Sequence, residues 1–288
     1  MELKDCHPFL SLSFISFAFF FTLCFSHPGY IACGYLCAGA CCFMAYGKRA
    51  LIFQFFITLI AVISAFLYAY SHHFGTVNII INIAENQFTL EAFCYGISLY
   101  FRLLIACLWI LYFYSVFSAD KVVYVTGRFC PKISLFLCTL FRILPLSKEK
   151  FSANFLVRRH ICLPHKHFFG LLFEIFKSLS ITVSYILDCL LQSKSVANSR
   201  GYLLPNKSKF SIFQFYNRER TLSLIIFFTA SVCSSALFLQ QGSIKYNPYM
   251  VFPVHSAFWF IFLICYMFFC LIPIFLKISY SFTHNICV

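Results

Sequence analysis

Charge is scarce in this chain, and negative charge is scarcest. Only 11% of its 288 residues are charged, and just 9 are Asp or Glu. A water-soluble domain carries about 25% charged residues, so composition excludes a soluble globular fold. The chain lacks a phosphate-binding loop as well. None of its 10 glycines opens G-x-x-x-x-G-K-[ST], so it does not bind ATP by that device. No Ser/His/Asp or Cys/His arrangement stands out, and catalysis is not expected of the chain itself. Acids inside the runs read below as spans are missing too. Glu85 and Glu91 come nearest, and both are expected in a connecting loop. A proton- or sodium-coupled carrier usually places ionisable groups near the bilayer midplane.

What fills the chain is apolar. Hydrophobic residues make up 61% of it, with 41 Phe, and mean hydropathy is +0.84. The 16 Cys sit mostly inside apolar runs, such as Cys33, Cys37, Cys41 and Cys42. Buried Cys behaves as a small hydrophobe, so neither a disulfide framework nor a redox site is read from them. His160, Cys162, His165 and His167 surround Pro164 at a spacing that matches no strong zinc pattern. No metal and no cofactor are expected.

Six runs approach the roughly 20 apolar residues that a spanning helix needs: 8–25, 30–47, 51–70, 96–118, 221–239 and 254–276. The first is preceded by Lys4 against Glu2 and Asp5. That is a poor start for a signal peptide, and the run is read as a span. The expected fold is an all-α integral membrane protein with about six spans. Its parts are an N-terminal membrane region (1–118, four spans), a central segment (119–220) and a C-terminal membrane region (221–288, two spans).

Basic residues decide the orientation. Residues 119–220 hold 16 Lys and Arg against 5 acids, a net +11 of the chain's +13. With that segment in the cytoplasm, 20 cations fall inside and Lys245 alone falls outside, while Arg102 lies within a span. Such asymmetry follows the positive-inside rule and puts both termini in the cytoplasm. Residues 132–146 and 168–191 are apolar enough to compete as spans. Inserting them spoils the charge split and takes Glu174, Lys177 and Asp188 into lipid, at about 2.5–3.5 kcal/mol for a charge at the helix centre. They are read as cytoplasmic or interfacial helices.

Two such helices are expected. One runs from about Leu146 to His160, with Pro145 at its start and Ser147 as a possible cap. The other runs from about His165 to Arg200. On it Leu172, Ile175, Leu179, Val183, Ile186 and Leu190 form one face, with Glu174, Ser178, Asp188, Gln192 and Ser195 on the other. Both end in arginine, at Arg158-Arg159 and at Arg200. Gly201 suits the left-handed stop after the second. Dipole complementarity and contact with lipid headgroups account for arginines there. Arg102 is a candidate for contact with a membrane partner, or it snorkels to headgroups.

Several stretches together resemble one family. "HHFGTVNIIINIAENQFTLEAFCYGISLYFRL" (72–103) is similar to a Gly-Thr turn followed by "TLEA…G" and an Arg-Leu pair. "SADKVVYVTGRFCPKISLFLCTLFRILP" (118–145) resembles an Asp-Lys … Arg-Phe-x-Pro stretch. "SVANSRGY" (195–202) resembles an Ala-x-x-Ala-Arg-Gly motif, and "YNPYMVFP" (246–253) a Tyr/Pro loop before a last span. These are features of the transmembrane coupling subunit of energy-coupling-factor (ECF-type) ABC transporters, the EcfT/CbiQ family. The chain departs from it at "FLVRRH" (155–160), where the family has Gln-x-x-Arg-Gly, and either Arg158 or Arg159 takes the arginine's place. It departs again at Asn198-Ser199, where an acid and Ala are usual.

The resemblance implies a non-enzymatic scaffold in the cell membrane. Its two cytoplasmic helices would dock through Arg200, Gly201 and Ala197, and through Arg158 or Arg159, into two ATPase subunits. They would pass ATP-driven motion to a small substrate-binding membrane subunit that imports a vitamin or a transition-metal ion. The implied partners are those subunits and the lipid bilayer, with no nucleic acid. A self-contained carrier or channel, or a membrane-embedded enzyme with a basic cytoplasmic face, are the alternatives.

Overall fold

A computed structural model describes residues 3–72, 75, 78–83, 86–161, 168–201, 213–244, 246, 250–251 and 257–286. The chain divides into two compact units, Met1–Ser118 with Phe213–Val288, and Ala119–Ile212. Residues 213–220, which basic composition groups with the central segment, thus pack with the apolar unit.

The apolar unit holds α1 (Pro8–Cys24), α2 (Pro28–Tyr46), α3 (Lys48–Ser71), strands β1 (Asn78–Ile83) and β2 (Asn86–Thr89), α4 (Leu90–Val116), α8 (Asn217–Phe238) and α9 (Ala257–Ile286). Among the described residues five helices are long and apolar enough to cross a membrane: α2, α3, α4, α8 and the stretch Phe258–Ser279 of α9. The first expected span, α1, is a shorter apolar helix of 17 residues, at the lower limit of about 17–25 for crossing. The expected all-α membrane architecture holds, with one short addition. Residues between α3 and α4 pair as an antiparallel hairpin, Asn78 opposite Thr89 and Ile83 opposite Asn86. The β-branched run Ile79-Ile80-Ile81 favours extended backbone there.

The packing is that of a membrane protein, with small residues inward and large apolar ones outward. On α3 the buried residues are Ala50, Ala61, Ala65 and Ala69, while Phe55, Phe56, Ile60 and Leu67 are exposed. A Cβ placed on Gly96 of α4 would lie 3.0 Å from the Ala65 carbonyl oxygen. Close backbone approach through small residues is how helices associate where lipid is as apolar as Leu. Elsewhere the core is aromatic. Phe14 lies 5.8 Å from Trp109 and 5.0 Å from Phe269, and Phe25 stacks on Tyr30 at 4.4 Å between centroids.

Polar ties fix the helix ends. Glu219, in the first turn of α8, accepts hydrogen bonds from the N–H of Tyr216 (3.2 Å) and of His7 (2.7 Å). One buried carboxylate thus caps α8 and holds the start of α1. The N–H groups of Ser26 and His27 both donate to the Gly242 carbonyl, and a Cβ on Gly242 would collide with the Phe25 ring. At the opposite end Lys277 donates to the Met44 carbonyl at 2.6 Å, and Lys4 lines the same small cavity. Lys48 and Arg49 open α3 at that end.

The second unit holds α5 (Ala119–Phe129), α6 (Pro131–Ile161) and α7 (Phe168–Ser199). The Ser134 hydroxyl of α6 donates to the Val123 carbonyl of α5 at 2.9 Å. The expected helix start at Pro145 is corrected. α6 is continuous through it, and the proline at a helix start is Pro131. Pro145 has no N–H to donate to the Phe141 carbonyl, so the ladder loses a bond there while the helix continues. Ser147 is accordingly no cap; its hydroxyl donates to Leu144 at 2.7 Å within the helix. The second helix begins at Phe168 rather than near His165, and residues 162–167 lie outside the described ones.

Candidate functional site: the arginine-tipped helix hairpin

α6 and α7 run antiparallel. Lys150 of α6 lies over the Tyr185 ring of α7 at 5.1 Å. Further along, Leu135, Thr139, Arg142, Ile143 and Leu146 of α6 share a cleft with Cys189 to Arg200 of α7. As α7 advances, its partners on α6 recede in sequence. The C-terminal ends of the two helices therefore lie at opposite ends of the pair.

Of the expected apolar face of α7, Leu172, Ile175, Ile186 and Leu190 are half-buried, while Leu179 and Val183 are exposed. The packed side of the helix carries Ser178, at 0% exposure, and Thr182, at 5%. Phe176, Leu179, Val183 and Leu187 are exposed, Leu179 by 49%. Residues four apart stack on one helix face, so Ser178 and Thr182 make a narrow stripe that lets α6 come close. The exposed apolar side chains suit a helix that meets an apolar partner or bilayer there.

The last turn of α7 shows how the arginine is presented. The Arg200 N–H still donates to the Val196 carbonyl at 3.1 Å, and the Gly201 N–H donates to Asn198 at 3.0 Å. Gly201 then takes φ +74°, a left-handed backbone that a Cβ disfavours by roughly 1–2 kcal/mol. The helix stops at Arg200, which is exposed, next to the half-buried Ala197. The helix C-terminus carries partial negative charge that favours a cation.

At the end of α6 the adjacent arginines differ. Arg158 is half-buried, its Nε enclosed and without a hydrogen-bond partner among the described residues. Arg159 is exposed. The two arginine ends are not brought together. Arg200 is level with Leu135, roughly 23 residues of α6 from Arg158, or about 35 Å at 1.5 Å per residue.

No family model, no curated protein and no solved structure matches this chain.

The remaining expected positions have structural employment. Arg102 donates through Nε to the Ser98 carbonyl at 3.1 Å and through a terminal nitrogen to the Leu23 carbonyl at 3.3 Å. It closes the C-terminal turn of α1, where carbonyls lack helical partners. Glu91 is not in a loop. It is buried in the first turn of α4, where the helix dipole favours an acid. Gly75, at φ +109°, packs so tightly on Glu91 that a Cβ would strike its carboxylate. Both residues lie in the stretch 72–103. The stretch 246–253 joins it: the Tyr246 hydroxyl donates to the Ser26 carbonyl at 3.3 Å, its ring lies 5.5 Å from Tyr95, and burial pushes its phenol pKa up. Of the histidine-cysteine run, His160 is exposed. Cys162, His165 and His167 lie outside the described residues, as do Tyr202 and Lys245. Among the described residues no cluster of three metal-ligating side chains occurs.

Sequence reasoning missed Arg142 as a neighbour of Arg200 and Glu219 as a tie to His7. The first had a faint signal, since a hairpin of α6 and α7 pairs distant positions. The second joins residues 212 apart in sequence, and no local pattern announces it.

Proposed function

We propose that this chain is the membrane coupling subunit of an ECF-type importer. The single observation that carries the reading is the presentation of Arg200, exposed where α7 is stopped by a left-handed glycine. Arg always carries charge and forms several directed hydrogen bonds to carboxylates and carbonyls. With small neighbours at Ala197 and Ser199, a partner surface can close around it. The second arginine end, about 35 Å away by helix rise, suits a second ATPase copy engaged by the same unit. Arg159 is the residue placed to reach it. The exposed apolar side chains of α7, Phe176, Leu179, Val183 and Leu187, support contact with a small membrane subunit. Cations gathered near Lys4, Lys48, Arg49 and Lys277, together with the net charge of +11 over 119–220, support an orientation with that end and the second unit in the cytoplasm. The transported solute, a vitamin or transition-metal ion in this reading, would be bound by the partner.

The test is the substitution Arg200→Glu, measured by ATPase co-purification and by uptake in cells. Removing one member of a charged, hydrogen-bonded interface pair costs roughly 2–5 kcal/mol, about 30- to several-thousand-fold in affinity. Membrane level should stay unchanged, because the exposed side chain supports no core. Replacing the exposed Lys132 and Lys148 by Gln is the control and should cost far less. Loss of the ATPases in the lysine variant but not in Arg200→Glu would reject the reading in favour of a headgroup-binding surface.

A further inference from the structure

A groove of about 370 Å³ opens between α2, α3 and α4, within the roughly 300–1,000 Å³ of ordinary binding pockets. All three helices are long and apolar enough to cross a membrane, so its natural occupant comes from the bilayer rather than from water. The lining is graded. At the mouth stand Tyr46, which ends α2, Arg49 in the first turn of α3, and Tyr114 near the end of α4, all exposed. Cys42, Phe53 and Leu108 lie four to six residues deeper along the same helices, about 6–9 Å at 1.5 Å per residue. Buried Ala50 contributes only a methyl group.

Two polar atoms of the lining are already committed. The Tyr46 hydroxyl donates to the Leu111 carbonyl and the Cys42 thiol to the Leu108 carbonyl, each at 3.2 Å. The charged group of the groove is the Arg49 guanidinium, and no lining residue is acidic. Lys48 precedes Arg49, the first turn of α3 carries no acid, and its N-cap, Gly47, offers no side chain to the first N–H groups. A helix N-terminus disfavours cations, so positive potential gathers at the mouth without a counter-charge from the helix itself. An apolar helix laid in the groove would leave that potential unanswered. A soluble anion would meet Arg49 but leave the apolar depth empty. An amphiphile with an anionic head and a hydrocarbon tail satisfies both, in the order in which the lining changes.

We propose that the groove between α2, α3 and α4 is a binding site for an anionic phospholipid, its phosphate on Arg49 with Lys48 close by, and one acyl chain along Phe53 and Leu108. In the orientation proposed above, the mouth opens at the cytoplasmic leaflet, whose anionic lipids attract Lys and Arg at helix ends. The site is independent of the coupling role: it belongs to the apolar unit and uses neither arginine end of the helix hairpin.

The experiment has two arms, both on the full chain. In the first, the chain purified in mild detergent is titrated with phosphatidylglycerol or with phosphatidylcholine of the same acyl chains, and bound lipid is counted by native mass spectrometry. The parent should hold one phosphatidylglycerol more tightly than phosphatidylcholine. Arg49→Gln should weaken it by at least about 5-fold, and Arg49→Lys should keep most of the affinity, since an ammonium also binds phosphate. Lys4→Gln, at a separate cavity of the same end, should stay within about 2-fold. In the second arm, p-benzoylphenylalanine in place of the exposed Phe53 is photolysed in cell membranes, and the adduct should be a phospholipid. Equal losses in Arg49→Gln and Lys4→Gln would mean a diffuse cationic surface and overturn the proposal. Equal affinity for the two lipids would do the same, as would displacement of the lipid by soluble glycerol phosphate. An adduct with a protein, another copy of this chain included, would assign the groove to a partner helix and overturn it. None of these outcomes bears on ATPase co-purification, which tests the coupling reading separately.

Discussion

A graded series at Gly201 isolates conformation from charge at the tip of α7. Gly201 carries no side chain to lose, and Arg200 is untouched by its replacement. At φ +74° an alanine is disfavoured by about 1 kcal/mol, and a β-branched valine by more, roughly 2 kcal/mol. Asparagine visits the left-handed region with little strain. The exposed last turn can relax in the free protein, so the penalty falls on docking, when the turn must be restored. At 1.4 kcal/mol per factor of ten, Gly201→Ala should weaken ATPase binding about 3- to 10-fold and Gly201→Val about 30-fold. Gly201→Asn should stay within about 3-fold of the parent. Titration of purified ATPase onto the chain in nanodiscs reads the affinity, and a melting curve of the chain alone should be unchanged across the series. Full affinity in the valine variant would refute the claim that the left-handed stop presents Arg200. An asparagine variant as weak as valine would do the same, because size rather than backbone would then be at issue.

Other outcomes follow from the packing and the charges. Reporter fusions after Arg49 and Arg200 should read cytoplasmic and fusions after Gly29 and Asn86 external; an external reading at Arg200 would overturn the orientation. Gly96→Leu should lower stability by about 1–3 kcal/mol through overpacking against Ala65, seen as a drop in Tm, whereas Phe56→Leu on the exposed face should change little; equal effects would contradict the small-in, large-out arrangement. Arg159→Glu should weaken ATPase retention with normal folding, while Arg158→Glu should lower Tm, because its Nε is enclosed. The reverse pattern would reassign the docking arginine at the end of α6.

The membrane helices were legible because lipid imposes one simple demand, a long apolar run with its hydrogen bonds satisfied internally. The stop at Gly201 was legible for a similar reason: a glycine after an arginine at the end of a periodic run has few other uses. The hairpin of β1 and β2 was missed although Ile79 to Ile81 hinted at it. The run through Pro145 misled because a proline usually marks a boundary, and here the ladder loses one bond and continues. The periodicity of α7 was correct, but periodicity does not say which face is packed. In a chain that meets lipid, Ser178 and Thr182 can be the buried side. Contacts such as Glu219 with His7, Gly75 with Glu91, or Arg142 beside Arg200 depend on tertiary arrangement, and no local propensity encodes them.

The coupling role stands or falls on what the intact chain holds in the membrane. Affinity purification of the chain from its own cells in mild detergent, with quantitative identification of the co-purifying chains, tests it most directly. The account predicts two ATP-binding chains of the ABC type and one small, highly apolar chain per copy, with the ATP-binding chains lost on Arg200→Glu. Recovery of the chain by itself, moving a solute into liposomes without ATP, would contradict it.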